Sequence, residues 1–159
     1  MIACRTFQGF TLVELVTVMT IIGILGAMAG PRFFDTDVFA SNGFAADSRA
    51  TLRYAQKLAL ASGCSIAVDF TATGYTVSRW IGAGGCTDRT GTLTTVMRPG
   101  GGMFSTVAPA GVTVSTASFF FDSIGRPRRA TDGAILSAPV TITIAATALS
   151  VEPETGLVN

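Results

Sequence analysis

Three arginines lie close together in the second half of the chain and are well suited to bind a charged ligand. They lie within the segment Gly125-Arg126-Pro127-Arg128-Arg129. A guanidinium group offers a planar fork of donors that fits phosphate. Glycine and proline favour a turn, which presents its side chains to solvent. The segment, with Gly125, Arg126, Arg128 and Arg129, is therefore a candidate site for the phosphates of a polyanion.

The charge of the whole chain favours a local interaction over a global one. The 159 residues include 11 Lys+Arg and 10 Asp+Glu, which gives a formal net charge of +1. A polyanion would therefore have to be held by a cluster of cations. An alternative interpretation stays open, because Asp122 and Asp132 flank the arginines. In that interpretation the arginines pair with these carboxylates on a solvated turn and bind no ligand.

The composition argues against most kinds of catalytic and metal site. The chain has no histidine and three cysteines. It lacks the base of a Ser-His-Asp or Cys-His arrangement, a histidine ligand for zinc, and the thiols of a four-cysteine site. Its Asp and Glu residues are scattered singly and suggest no acid/base pair. We therefore predict no enzymatic activity, no catalytic residue, no metal and no cofactor.

A long apolar segment near the N-terminus indicates a membrane helix. Residues 10–29 read FTLVELVTVMTIIGILGAMA, in which Glu14 is the one charged residue. At about 1.5 Å per residue the segment covers roughly 30 Å, the thickness of the hydrocarbon layer of a bilayer. Arg5 precedes it, so the positive-inside rule places the rest of the chain outside the cytoplasm. A carboxylate costs about 2 to 3.5 kcal/mol near the bilayer centre, so Glu14 calls for a functional explanation.

The remaining chain predicts a helix followed by a β-rich region. Apolar residues at helical spacing, among them Leu52, Ala55 and Ala59, predict a helix from about 44 to 61 that ends at Ser62-Gly63. β-branched and aromatic residues then predict strands at 65–70, 75–81, 92–97, 112–121, 140–145 and 148–151. We predict an α+β fold, in which a long N-terminal helix packs on a small antiparallel β-sheet domain. Its segments are a transmembrane helix at 10–30, a continuation of that helix at 31–62, and a β-rich head at 63–159.

The aromatic residues of the head have simpler explanations than ligand binding. Phe119, Phe120 and Phe121 resemble a base-stacking platform, but a strand buried at two of these three positions explains them more economically. We also expect Trp80 to belong to the core.

The residues at the start of the apolar segment resemble a known signature. Gly9-Phe10-Thr11-Leu12-Val13-Glu14-Leu15, followed by an apolar stretch, resembles the prepilin signature of type IV pilins and type II secretion pseudopilins. The resemblance implies that the leader, residues 1–9, is removed by the prepilin peptidase after Gly9, and that the new N-terminal Phe10 is methylated. It also implies that Glu14 acts in filament assembly. There it would pair with the N-terminal amine of a neighbouring subunit, which neutralises both charges in an apolar setting.

The same resemblance implies a location and a set of partners. Such proteins are single-pass proteins of the bacterial inner membrane, with the C-terminal domain in the periplasm, and they reach the pilus or the cell surface after assembly. The implied partners are other pilin subunits, the prepilin peptidase and the inner membrane. Pro31 stands where the family has a proline and predicts a kink in a continuous helix.

Further features resemble the minor pilins and pseudopilins of the FimT/GspH type. They are the helix that ends at Ser-Gly, the strand-rich domain and the closing Val-Glu-Pro-Glu-Thr-Gly-Leu-Val. Gly125, Arg126 and Arg128 match the Gly-Arg-x-Arg motif of FimT-type pilins, which bind DNA during natural transformation, and Arg129 is additional. The alternative is a structural minor pilin, or a type II secretion minor pseudopilin in the H position, with no role in DNA binding.

The implied cleavage also bears on the cysteines. Cys4 would be lost with the leader, which leaves Cys64 and Cys86 in an oxidising compartment. We predict a disulfide between them. The alternative is a pair of unbonded buried thiols, because sequence does not show whether their Cα atoms lie within bonding distance.

Overall fold

The structure is a computed structural model that describes residues 10–29 and 36–159, and it divides into two units. The units are Met1–Thr36 and Asp37–Asn159. All the described buried side chains of the two hydrophobic clusters belong to the second unit. The predicted cleavage site at Gly9 and the predicted kink at Pro31 lie outside the described residues.

The described part of the first unit forms a helix, α1 (Leu12–Ala29). Thr11 caps it, because its Oγ1 accepts the backbone N–H of Glu14 at 3.3 Å. Glu14 lies in the first turn, where the helix dipole favours a negative charge. Over residues 10–29 and 36–159, no helix has both the length and the apolar character that a membrane crossing needs.

The second helix, α2 (Thr36–Ser62), begins well before residue 44, where the apolar pattern of the predicted helix starts. The apolar pattern does not predict the first turns of α2. Val38 and Phe39 are exposed there, so these two residues do not continue the apolar face that starts at Phe44. The C-terminus is as predicted. Gly63 adopts a φ of 66° and donates its N–H to the Ala59 carbonyl at 2.9 Å, a typical left-handed helix end.

The strands form one antiparallel sheet and a separate hairpin. The sheet strands are β1 (Ile66–Thr71), β2 (Gly74–Ile81), β3 (Thr92–Thr95), β4 (Ser105–Val107), β5 (Ala117–Phe121) and β6 (Pro127–Arg129). Their order is β3-β2-β1-β5-β6, and β4 also pairs with β2. The hairpin consists of β7 (Val140–Ile144) and β8 (Thr147–Val151). The fold is therefore α+β with an antiparallel sheet, as predicted.

The large hydrophobic cluster lies on one face of the sheet. The predicted face of α2, Leu52, Ala55 and Ala59, is fully buried in it together with sheet residues such as Phe119 and Phe121. Burial of this apolar surface is the main source of stability for the second unit.

A smaller cluster on the other face overturns one expectation about the phenylalanines. All three of Phe119, Phe120 and Phe121 are buried, whereas the sequence predicts two. Phe120 points to the face opposite its neighbours, where Trp80 packs edge-on against it at 5.6 Å between ring centroids. Trp80 is itself buried, as predicted. The sequence predicts the alternation of β5, but it does not predict that the second face of this strand is also covered.

Strand prediction succeeded where apolar runs are long and failed where pairing depends on tertiary contacts. The hairpin β1–β2 and the strands β7 and β8 lie within a residue of their predicted positions. The predicted strand at 112–121 is too long, because its first half makes only an isolated bridge between Val114 and Ile144. The three-residue strands β4 and β6 were not predicted at all.

Cys64 and Cys86 form a disulfide, as the sequence predicts, with their Cα atoms 5.0 Å apart. The alternative of two unbonded thiols is wrong. The bond joins the end of α2 to the loop between β2 and β3, and the Cys86 carbonyl accepts the backbone N–H of Ser65 at 3.1 Å. The disulfide therefore fixes residues 82–91, which we call the disulfide loop, against the main body of the unit.

Candidate nucleic-acid interface

The arginine segment, residues 125–129, is partly a turn and partly a strand. The turn closes when Gly125 donates its N–H to the Asp122 carbonyl at 2.8 Å. The chain then enters β6, in which Arg128 pairs with Phe120 and Arg129 with Phe119 of β5. The prediction that all the arginines lie on a turn is therefore wrong for Arg128 and Arg129. Gly125 and Pro127 indicate a turn, but the edge strand β6 already includes Pro127 and the two arginines that follow it.

Asp122 organises the turn through both of its carboxylate oxygens. Oδ1 accepts the backbone N–H groups of Ile124 at 3.1 Å and Arg126 at 2.9 Å. Oδ2 accepts the Nε–H of Arg128 at 2.8 Å. The side chains of Asp122 and Arg128 are only 17% and 22% exposed. This ion pair is therefore shielded from water, and Arg128 is held by a partner inside the fold.

Arg129 also has a carboxylate partner, but an exposed one. Its Nη1 lies 3.0 Å from Oδ2 of Asp132, and both side chains are about half exposed. A hydrogen bond from the backbone N–H of Ala134, together with the charge of Arg129, lowers the pKa of Asp132. Exposed pairs of this kind contribute little to stability and separate readily, so Arg129 is available to another anion.

Arg126 is the arginine of the segment that remains open. Its side chain is exposed, and among the described residues it makes no ion pair and no side-chain hydrogen bond. Two hydrogen bonds with Asp122 hold the backbone of Arg126. Its N–H donates to the Asp122 carboxylate, and its carbonyl accepts the N–H of Asp122 at 3.0 Å. The charge is therefore presented on a fixed backbone, and this lowers the conformational entropy lost on binding.

Gly125 shapes the site through its backbone. It is buried with a φ of 75°, a conformation that favours glycine, and a Cβ built there would lie 2.9 Å from Cγ of Leu60. Its carbonyl accepts Nε2 of Gln56 at 3.3 Å, and the same amide donates to the Thr155 carbonyl at 2.7 Å. The turn is thus anchored to α2 and to the C-terminal segment.

A fourth arginine, Arg89 of the disulfide loop, reaches the same edge of the molecule. Its Nη1 and Nη2 donate to the carbonyls of Ala130 at 3.4 Å and Asp132 at 3.2 Å. Its guanidinium carbon lies 5.0 Å from the centroid of Phe120. Sequence reasoning missed this residue, because no local pattern links Arg89 to a segment so distant in the chain. The predicted disulfide was the one available sign that its loop is held in place.

Arg98, by contrast, makes its contacts within the fold. Arg98 donates from Nη2 to the Tyr75 hydroxyl at 2.8 Å and to Oγ1 of Thr106 at 2.6 Å, and it lies 3.5 Å from the carboxylate of Asp47. Tyr75 also donates to that carboxylate. Burial and this hydrogen bond raise the pKa of Tyr75. The cluster binds α2 to the sheet and leaves little charge for a ligand.

Two further predicted site residues, Phe10 and Glu14, belong to the first unit. Phe10 is exposed and precedes α1, and Glu14 follows in its first turn. In the described ranges, no group of three or more His, Cys, Asp or Glu side chains is placed to hold a metal ion.

Comparison with known proteins identifies the N-terminus alone. Residues 4–30 match the family model of the prokaryotic N-terminal methylation motif. The match supports a type IV pilin-like protein, and the motif implies assembly with other pilins and processing by a prepilin peptidase. No curated protein and no solved structure matches the chain.

Proposed function

We propose that the chain is a minor subunit of a type IV pilus of the FimT/GspH type that binds extracellular DNA and supports its uptake in natural transformation. The arginine segment contacts the phosphate backbone without reading sequence. The N-terminal helix anchors the subunit in the inner membrane, with the second unit in the periplasm, until assembly carries it to the cell surface.

The pilin part of the proposal is supported by the methylation motif and by the character of α1. Apolar side chains around this helix, from Leu12 to Leu25, are exposed, and such a surface requires lipid or other helices as partners. Glu14 would neutralise the N-terminal amine of a neighbouring subunit, in the way the prepilin resemblance implies.

The DNA-binding part rests on one observation, the open guanidinium of Arg126 on a turn whose backbone is already fixed. An exposed, preordered cation contacts a phosphate without first ordering its own loop. Arg129, whose carboxylate partner is exposed, adds a second contact. Arg128 serves mainly to hold the turn.

A second candidate function is a purely structural subunit, either of the pilus or of a type II secretion pseudopilus in the H position. The observation in its favour is that Arg128 and Arg129 already pair with Asp122 and Asp132, as expected if the segment binds no ligand. The two candidates differ in whether Arg126 contacts DNA.

Replacing Arg126 with glutamine is expected to weaken DNA binding to a similar extent for all sequences. The reason is that one phosphate contact is lost. This lowers the salt slope, by which we mean the magnitude of the fall in log Kobs per unit of log salt, by about 0.9 on duplex DNA. The measurement is fluorescence anisotropy of a labelled duplex, titrated with the purified chain in detergent across a salt series.

The matched control is Arg79→Gln. Arg79 is exposed and stands one position before Trp80 on β2, so its side chain lies on the face of the sheet opposite to Trp80. The substitution removes the same charge as Arg126→Gln and should leave the affinity for DNA and the salt slope unchanged. Equal binding by Arg126→Gln and the original chain would favour the structural subunit. Arg128 is a poor first target, because its loss also removes the shielded partner of Asp122.

Replacing Gly9 with a bulky residue is expected to block maturation completely. The prepilin peptidase would no longer accept the junction before Phe10, so the precursor would stay in the membrane with its leader. The check is the intact mass of the protein recovered from membranes, and Gln8→Ala is a neighbouring control that should still be processed. A mature, methylated product from the Gly9 variant would refute the proposed cut.

A further inference from the structure

Arg89 and Arg129 meet at one residue although they are distant in sequence. Arg89 binds the main-chain carbonyl of Asp132 at 3.2 Å, and Arg129 binds the carboxylate of Asp132 at 3.0 Å. The fit is close, because a Cβ built on Gly133 would lie 2.6 Å from Nη2 of Arg89. The disulfide loop and the chain after β6 therefore bring two guanidinium groups to one small area of surface.

Arg89 keeps its charge available. Its acceptors are neutral carbonyl oxygens, and among the described residues no carboxylate lies within ion-pair distance. The ring of Phe120 orients the guanidinium without neutralising it. An arginine side chain has five N–H donors, so donors remain after these two contacts are made.

The carboxylate of the neighbouring Asp88 is hydrogen-bonded within the disulfide loop. Asp88 accepts the backbone N–H of Thr90 at 3.0 Å. Hydrogen bonds from the side chain and the backbone of Thr90 lower the pKa of Asp88, so this carboxylate stays ionised at neutral pH. It is occupied by Thr90 and makes no ion pair with Arg89.

A polar cleft of about 550 Å³ opens beside Arg89. Two exposed hydroxyl groups, those of Thr87 and Thr131, line it and make no hydrogen bond within the described part of the chain. Guanidinium and hydroxyl donors around one polar cleft are the chemistry that holds phosphate oxygens. Its lining residues are Trp80, Thr87, Asp88, Arg89, Thr90, Ala130 and Thr131.

We propose that this cleft, the Arg89 cleft, binds a further phosphate of the DNA backbone. Arg89 supplies the charge, Thr87 and Thr131 supply hydroxyl donors, and Arg129 contacts a neighbouring phosphate. The inference rests on the proposed function and extends it, because it assigns a binding residue outside the arginine segment. The DNA would then cross the edge of the sheet from the turn to the disulfide loop.

The test compares Arg89→Gln with Arg89→Lys in the full-length chain, using the same anisotropy titration across salt. Arg89→Gln should weaken binding and lower the salt slope by about 0.9, since one phosphate contact is lost. Arg89→Lys keeps the charge and should keep the slope, although it loses the planar fork. Arg79→Gln is again the control for loss of one positive charge.

The outcomes separate this inference from the proposed function. If Arg126→Gln lowers the slope and Arg89→Gln does not, the Arg89 cleft is refuted while the arginine segment stands. If Arg89→Lys lowers the salt slope as much as Arg89→Gln does, Arg89 acts through packing and the phosphate contact is refuted. If the original chain binds no DNA, the proposed function fails first and the cleft fails with it.

A second variant keeps the test decisive if Arg89→Gln unfolds the disulfide loop. Thr131→Lys adds a cation to the cleft and leaves Arg89 in place, so it should raise both affinity and salt slope. Thr94→Lys adds the same charge to β3, where the exposed Thr94 lines a different cavity, beside α2, and should change neither by as much. Equal gains from the two lysines would show that only net charge matters and would overturn the proposal.

Discussion

Replacing Asp122 with alanine is expected to lower the free energy of unfolding by about 2 to 3 kcal/mol. The carboxylate accepts three hydrogen bonds, two from the backbone of the turn and one from Arg128. Because the Asp122 side chain is only 17% exposed and its bond with Arg128 is partly buried, water replaces this ion pair poorly. Arg128, 22% exposed, would lose the ion-pair partner that compensates for its partial burial. The measurement is urea unfolding followed by circular dichroism.

Asp132→Ala is the matched control, because it removes the same charge from the same surface. The Asp132 carboxylate pairs with Arg129 where both side chains are about half exposed, so solvent screens the interaction. We expect a clearly smaller loss of stability. The pKa of Asp132 is lowered in the folded state. Its contribution is therefore present above the ordinary pKa of an aspartate and is lost as the pH falls through the lowered value. Equal losses from the two variants would contradict the assigned role of Asp122.

The elements that the sequence predicted well are those whose patterns are local. The apolar spacing of α2 around Leu52 and the alternation in β1 and β2 each reflect one buried face. The C-terminal end of α2 at Gly63 was predicted because glycine is favoured where φ is positive. The Cys64–Cys86 bond was predicted by counting cysteines after an implied cleavage, with no help from geometry.

The features that the sequence did not predict depend on long-range contacts. β6 exists because β5 offers an edge to Pro127–Arg129, and no propensity in those three residues indicates a strand. Phe120 is buried because Trp80 and Arg89 cover the second face of the sheet. The division of the arginines into a shielded one, Arg128, and an open one, Arg126, depends on where the Asp122 side chain points.

This division changes how the arginine segment is understood. The sequence presents its arginines as equivalent, and it offers two complete alternatives, all binding a ligand or all paired internally. In the structure each alternative describes part of the segment. Arg128 stabilises the turn through Asp122, and that turn holds the backbone of Arg126 in place. Internal pairing and ligand binding are therefore compatible, because one arginine positions the other.

Removing the disulfide with Cys64→Ser and Cys86→Ser is expected to destabilise the second unit by about 3 kcal/mol. The two cysteines are 22 residues apart, and the entropy of closing a loop of that length in the unfolded chain accounts for roughly this amount. The check is urea unfolding of the double variant beside the original chain. A stability equal to that of the original chain would contradict the prediction.

The same double variant connects the stability of the disulfide loop to its proposed role in binding. The loop contains Arg89, whose contacts to the Ala130 and Asp132 carbonyls are exposed and individually weak. Without the bond at Cys86, these contacts have to hold the loop with little further support. We therefore expect the folded double variant to show the salt slope of Arg89→Gln, while Arg126, on a turn anchored by Asp122 and Gln56, continues to bind. An unchanged slope would show that Arg89 keeps its position without the disulfide, or that it does not contact DNA, and Arg89→Gln in the original background decides between the two.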